Sequence, residues 1–249
     1  MVIPSNIFVT GSSRGIGLEL VTQLAKLAPS TTLILAACRN PETAQELQSL
    51  SKRYPCVKIL QMDAENEDSI QSAFKETRDL VGSPGLNVLV NNAAINLKKE
   101  SIIDINAEDL LKTLKVNVVG PAIITKTFLP LLKQAAGQGD GKLSWSRAAI
   151  LNISSILGSI GSNVVGTYYQ YRESKAALNQ LTKNLCIELS PQGILAVSIH
   201  PGWVQTDMGG ANASLTKQDS VQGMINVFQK LNKESAGKLI AYDGGVIQW

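Results

Sequence analysis

Tyr171 and Lys175 stand four residues apart in the run Tyr171-Arg172-Glu173-Ser174-Lys175, at the start of a helical-looking stretch. That spacing puts a phenol and an ammonium on one helix face, about one turn apart. A free tyrosine has a pKa of about 10 and moves protons poorly near neutral pH. A neighbouring cation favours the phenolate and brings the phenol closer to working pH. The pair reads as an acid/base device. Taken alone the spacing is common, and most such pairs are solvated helix decoration, so its weight depends on a second, independent motif.

That motif lies near the N-terminus. Asn6-Ile7-Phe8-Val9-Thr10 is a short apolar run that predicts a buried strand. It leads into Gly11-Ser12-Ser13-Arg14-Gly15-Ile16-Gly17, then into a helical pattern through Leu18, Leu20, Val21, Leu24 and Leu27. Strand, glycine-rich turn and helix in that order make a phosphate cradle. Glycines let the chain turn tightly and let a pyrophosphate approach main-chain N–H groups at the helix N-terminus. Gly11, Ser13, Arg14, Ile16 and Gly17 are the candidate contacts. The spacing is G-x-x-x-G-x-G rather than the commoner G-x-G-x-x-G. The bland alternative is a glycine turn with no nucleotide.

The next apolar run, Thr32 to Cys38, ends at Arg39. A chain that binds NAD usually places an acid about 20 residues beyond its glycines, to hold the ribose 2′-hydroxyl. Here Arg39 takes that place, and Arg14 lies inside the glycine loop. Two guanidiniums suit a 2′-phosphate and gain little from a hydroxyl. The expected cofactor is NADPH rather than NADH, the alternative being that Arg39 is an ordinary exposed arginine. A third run, Val57 to Met62, ends at Asp63-Ala64. Asp63 could accept a hydrogen bond from an adenine amino group or cap the following helix.

Several further runs occur in a fixed order: Asn91-Asn92-Ala93-Ala94, Asn117, Asn152-Ile153-Ser154-Ser155, and Pro201-Gly202. With Thr10-Gly11-x-x-x-Gly15-x-Gly17 and Tyr171-x-x-x-Lys175, they make the whole chain resemble the short-chain dehydrogenase/reductases. Within that family, Cys38-Arg39-Asn40-Pro41, Ser154 to Ile160, His200 to Val204 and Thr206 to Gly210 look most like the sniffer-type carbonyl reductases. The resemblance implies NADPH-dependent reduction of a small-molecule carbonyl, without fixing the substrate. It gives Tyr171 the proton transfer at the substrate oxygen. Lys175 would lower the tyrosine pKa and hold the nicotinamide ribose. Ser155 would hydrogen-bond the carbonyl, with Ser154 as its rival, since a strand points only one of two neighbours at a site. Asn117 would hold a helix kink and a water that links Lys175 to solvent. Asn91 and its neighbours would support the central strands, with Asn91 and Ala93 also at the cofactor, and Pro201, Gly202, Val204 and Thr206 would contact its nicotinamide end. Ala94 departs from the family, which more often has glycine there. The resemblance also allows a homodimer through helices around 106–136 and 171–189.

Competing readings have their own residues. Gly11-Ser12-Ser13-Arg14-Gly15 also fits G-x-S-x-G, the nucleophile elbow of serine hydrolases. A hydrolase needs a histidine base, and His200 is the single histidine. A non-catalytic NADPH-binding sensor or scaffold on the same fold is the remaining class.

The elements that must carry these residues alternate. Strand-like runs at 6–10, 32–38, 57–62, 87–91, 148–154, 195–200 and 238–242 are separated by helical ones. This pattern predicts an α/β fold, a doubly wound (Rossmann) parallel sheet of about seven strands with helices on both faces, in one domain over 1–249. A chain of 249 residues with 44% apolar content can bury one sizeable core. Segment 134–147, rich in glycine and polar residues, reads as an exposed loop. The net charge of +3 is spread out, and the basic pair Lys98-Lys99 reads as solvated, so no nucleic-acid partner is expected. The chain runs straight into its first strand, and no apolar run nears a membrane span, so a cytoplasmic protein is expected. Three separated cysteines fit a reducing compartment, and no metal site is expected. Cys38 beside Arg39 is either an oxidation-sensitive thiolate or a buried inert thiol.

Overall fold

In a computed structural model that describes residues 2–97, 101–138 and 141–249, eight strands form one sheet. They are β1 (Asn6–Thr10), β2 (Leu33–Cys38), β3 (Val57–Gln61), β4 (Val88–Asn91), β5 (Ala149–Ile153), β6 (Leu195–His200), β7 (Leu239–Ala241) and β8 (Val246–Ile247). The order across the sheet is β3-β2-β1-β4-β5-β6-β7-β8. Every pairing up to β7 is parallel. The two-residue β8 adds antiparallel to β7 and is one strand more than the sequence pattern predicts. It is too short to give a periodic signal.

Among the described residues, seven longer helices connect the strands: α1 (Gly15–Leu27), α2 (Gln45–Arg53), α3 (Glu67–Val81), α4 (Ala107–Leu114), α5 (Gly120–Ala136), α6 (Tyr169–Leu189) and α7 (Lys217–Phe228). Parallel strands are covered on both faces, which is why they read as continuous apolar runs rather than alternating ones. Ile7, Val9, Ile34 and Ala36 join one core with Leu20, Leu24 and Phe228. Phe8, Leu35 and Ala37 point the other way, into a core with Phe128, Leu131 and Ile70. Phe8 and Phe128 meet with ring centroids 4.6 Å apart.

The segment 134–147 differs from its expected exposed loop. α5 runs on through Ala136, and Trp145 is buried with its ring 5.8 Å from that of Phe228. Arg147 holds the end of α5 by donating to the Ala136 carbonyl. One large apolar side chain is enough to dock a polar segment on the core, and periodicity does not register a single residue. The pair Lys98-Lys99 lies outside the described residues.

The order of strands reverses direction between β1 and β4. A crevice opens there at the carboxyl ends of the strands, where open α/β sheets bind ligands.

Candidate active site

The glycine loop forms the middle of this crevice. Gly11 and Gly15 adopt φ of 67° and 59°, left-handed values that suit glycine. Gly17 has a different constraint. A Cβ there would run into the Gly11 carbonyl oxygen and lie 2.5 Å from Asn92 Nδ2. Asn92 in turn donates to the Thr10 and Gly11 carbonyls at 2.9 and 3.1 Å, and the Thr10 hydroxyl accepts from the Asn92 and Ala93 amides at 2.9 Å. The clasp between β1 and β4 thus depends on Asn92, one of the neighbours of Asn91 expected to support the central strands. α1 begins at this loop with no capping side chain and no acid in its first turn. Its free N–H groups and positive dipole end suit an anion. Gly11, Ser13, Arg14, Ile16 and Gly17 all line the crevice.

Arg39, Asp63 and Ala64 line its far end. Arg39 is exposed and has no ion-pair partner among the described residues. Arg14 Nη1 lies 3.4 Å from Asp207, an exposed pair of little energetic weight. Asp63 does not cap α3, which begins under Asn66. Its Oδ1 instead accepts from the Glu65 amide at 3.0 Å. Cys38 is buried, and desolvation holds its thiol pKa above the usual value, which favours the inert reading.

At the near end stand Ala93, Ala94, Tyr171, Lys175, Pro201 and Thr206. The crevice holds about 620 Å³. Lys175 is 2% exposed; its Nζ donates to the Ile153 carbonyl at 2.8 Å and sits 5.5 Å from the centre of the Tyr171 ring. The expectation that the lysine lowers the phenol pKa is not met in the protein by itself. The protein packed around the phenol pushes Tyr171 up to about 12, and burial pulls Lys175 down to about 7. In each case the cause is burial, which strips water from the charged form. Tyr171 therefore keeps its proton at neutral pH, as an acid must.

Five expected site residues do not line the crevice, for different reasons. Asn91 is buried, and its Nδ2 donates to Asn152 Oδ1 and Thr125 Oγ1 at 2.8 and 3.2 Å. It ties β4 to β5 and α5, the central-strand support expected of it, and its side chain is not among those lining the crevice. The neighbouring Asn92 lines the crevice in its place, because alternate strand residues face opposite ways. Gly202, with φ of 83°, turns the chain tightly against Leu215 and Tyr242, and Val204 is buried in a bridge to Leu215. Both shape the loop that carries Thr206 rather than touch the space itself. Asn117 sits in a π-turn, Lys115–Val119, between α4 and α5. Its amide accepts from Ile95 N and donates to Ile95 O and to Ser174 Oγ at 2.8, 2.9 and 3.0 Å. Ser174 donates to the Tyr171 carbonyl at 2.8 Å, so Asn117 braces the first turn of α6.

Ser155 is the fifth. It caps the short turn Ile156–Gly158, and its Oγ accepts from Leu157 N at 3.1 Å. Its own proton has no acceptor among the described residues. Ser154 does line the crevice, but its hydroxyl donates to Asn179 Oδ1 at 2.7 Å. Of the two, Ser155 has the donor to spare.

The hydrolase reading fails on geometry. His200 ends β6, three strand spacings from β1, on the order of 14 Å from the glycine loop. Its Nδ1 accepts from Ile156 N at 3.2 Å, and burial lowers its pKa to about 4. Ser13 has no base. A stability consequence follows. The unfolded chain binds a proton at this imidazole near pH 6.5, the folded chain only near 4, so the stabilisation is complete above pH 6.5 and is lost as pH falls toward 4. The loss is on the order of 3 kcal/mol. Urea midpoints at pH 7.5 and 4.5 should differ accordingly, and His200→Gln should flatten that dependence.

A family model described as short chain dehydrogenase matches residues 5–217. The chain belongs to this family. As a short chain dehydrogenase it is similar to an uncharacterized oxidoreductase of Schizosaccharomyces pombe, 31% identical over 97% of both chains. The solved carbonyl reductase Sniffer of Drosophila melanogaster superposes with a TM-score of 0.95 at 41% identity, covering 99% of this chain and all of that one. An NADPH-bound carbonyl reductase from chicken fatty liver gives 0.94 at 37%, with both chains fully covered. The expected likeness to sniffer-type reductases is met by the first of these structures. This short chain dehydrogenase is an oxidoreductase by family.

Among its described residues no helix is long and apolar enough to cross a membrane, and no group of three or more His, Cys, Asp or Glu is placed to hold a metal.

Proposed function

We propose that the chain is an NADPH-dependent carbonyl reductase, acting on an aldehyde, ketone or quinone in the cytoplasm as one unit over 1–249. The observation that carries this reading is the shared crevice: Tyr171 and Lys175 line the same space as the glycine loop and Arg39.

The residues fit the dinucleotide. The uncapped N-terminus of α1, and a loop that leaves no room for a Cβ at Gly17, suit a pyrophosphate. Arg39, with Arg14, suits the 2′-phosphate, and the NADPH-bound chicken neighbour supports that choice. Asp63 keeps Oδ2 for an adenine amino group. When bound, the reduced nicotinamide supplies the hydride. As negative charge grows on the substrate oxygen, Tyr171 donates a hydrogen bond to it in a partly dry site, and Ser155, next in the chain to the crevice-lining Ser154, would turn its spare donor to the same oxygen. Tyr171 then releases its proton to the alkoxide. Lys175 stabilises the phenolate left behind, and Asn117 keeps the tyrosine's helical turn in place. General acid help of this kind is worth roughly a hundred- to ten-thousandfold. A homodimer through α4, α5 and α6 is supported by exposed apolar side chains in that region, Leu111, Val119 and Ile187.

The decisive experiment follows NADPH absorbance with a panel of aldehydes, quinones and diketones. Decay with at least one supports reduction; silence with all of them would favour the sensor. The cofactor choice has its own test. Arg39→Asp should raise the Kd for NADPH by about a hundredfold, roughly 3 kcal/mol, while changing that for NADH little. Equal weakening of both would take Arg39 out of the phosphate site.

A further inference from the structure

We propose that Asn179 is a positioning residue that sets Ser155 against Tyr171; the inference rests on the roles assigned to those two side chains above. Tyr171, Lys175 and Asn179 follow one another at four-residue spacing along α6, and so share a face. Asn179 is 3% exposed and touches neither cofactor nor substrate space. Its two amide ends grip the chain on either side of Ser155. Oδ1 accepts from Ser154 Oγ at 2.7 Å, and Nδ2 donates to the Gly158 carbonyl at 3.2 Å.

The grip has little slack. Gly158 presses on the helix so closely that a Cβ there would come within 2.6–2.8 Å of the Lys175 backbone and Cβ. Lys175 itself holds the Ile153 carbonyl, one residue before the pair of serines. The turn from Ser155 to Gly158 closes on its own bonds, Gly158 N to Ser155 O at 2.9 Å and Leu157 N to Ser155 Oγ at 3.1 Å. Ser155 thus rides on a small rigid turn, and one buried amide fixes that turn along the helix that carries the acid. Two donors must converge on one oxygen, and a displacement of about 1 Å at such a site can cost a hundredfold. Loss of the amide also leaves the Ser154 hydroxyl and the Gly158 carbonyl without their partner in a dry place, which drives the turn to shift.

The test compares Asn179→Ala in two backgrounds. In the wild-type protein, kcat for carbonyl reduction should fall about ten- to a hundredfold, with the KM for NADPH within about twofold. In a Ser155→Ala background the same substitution should change kcat by less than about twofold, because residues that act through one another are not additive. Hydrogen exchange of the segment 154–160 should rise in Asn179→Ala while that of the glycine loop stays unchanged. A wild-type-like kcat, an equal loss in both backgrounds, or unchanged exchange at 154–160 would each overturn the proposal. Should the wild-type protein reduce no carbonyl, the functional reading fails and the exchange experiment still decides whether Asn179 holds the turn. If Asn179→Ala does not fold, Ser154→Ala removes one of the two bonds. It should give a smaller loss, about three- to tenfold, that again vanishes when Ser155 is absent; persistence of that loss would refute the coupling.

Discussion

Tyr171→Phe should bind NADPH within about twofold of the native protein and turn over at least about a thousandfold more slowly. The substitution removes one oxygen and leaves the ring beside Lys175, so the crevice keeps its shape. What is lost is the only acidic proton that the described residues place beside Lys175 in that space. Water is a poor replacement in a partly dry site, and a serine hydroxyl is far too weak an acid to take over the transfer. Burial raises the phenol pKa, so the tyrosine is protonated throughout the physiological range and has a proton to give. Cofactor binding by fluorescence and single-turnover NADPH decay separate the two effects. Near-native turnover would remove Tyr171 from the proton transfer.

Gly17→Ala should raise the Kd for NADPH at least about a hundredfold while the protein stays folded. The added methyl would overlap the Gly11 carbonyl and crowd Asn92 Nδ2. Either the glycine loop lifts or the Asn92 clasp opens, and both distort the floor on which a pyrophosphate would rest. Gly17 lies in the first turn of α1 and fills neither apolar core with side-chain volume, so the thermal midpoint should fall by a few degrees only. Titration calorimetry with NADPH and a melting curve test the two halves of the statement. Unaltered affinity would show that the loop tolerates a side chain and is not the cradle.

Much of this architecture could be read from residue order because burial on both faces leaves a plain mark. Val88-Leu89-Val90 and Ala196-Val197 are strands with nothing polar to confuse them, and Gly11 to Gly17 has a spacing that few other structures need. What was not legible depended on distant neighbours. The pKa of Tyr171 follows from how much protein surrounds it, and a four-residue spacing does not contain that. Asn91 and Asn92 are the same residue type side by side, and only the pleat of β4 decides which one reaches the glycine loop. The π-turn at Lys115–Val119 inserts an irregularity that helical periodicity smooths over. Asn179 looks like one more polar residue in a long helix until the turn after β5 is folded onto it.

The two outer strands bear on how copies of this chain can meet. At one margin β3 shows Lys58 and Gln61 to solvent, and at the other β8 offers only two residues of unpaired backbone. A charged side chain and an abrupt stop are both poor templates for an incoming strand. The sheet therefore resists end-to-end growth into ribbons, even though its interior strands are apolar enough to favour it. Neither margin of the sheet offers a natural seam for joining a second copy strand to strand.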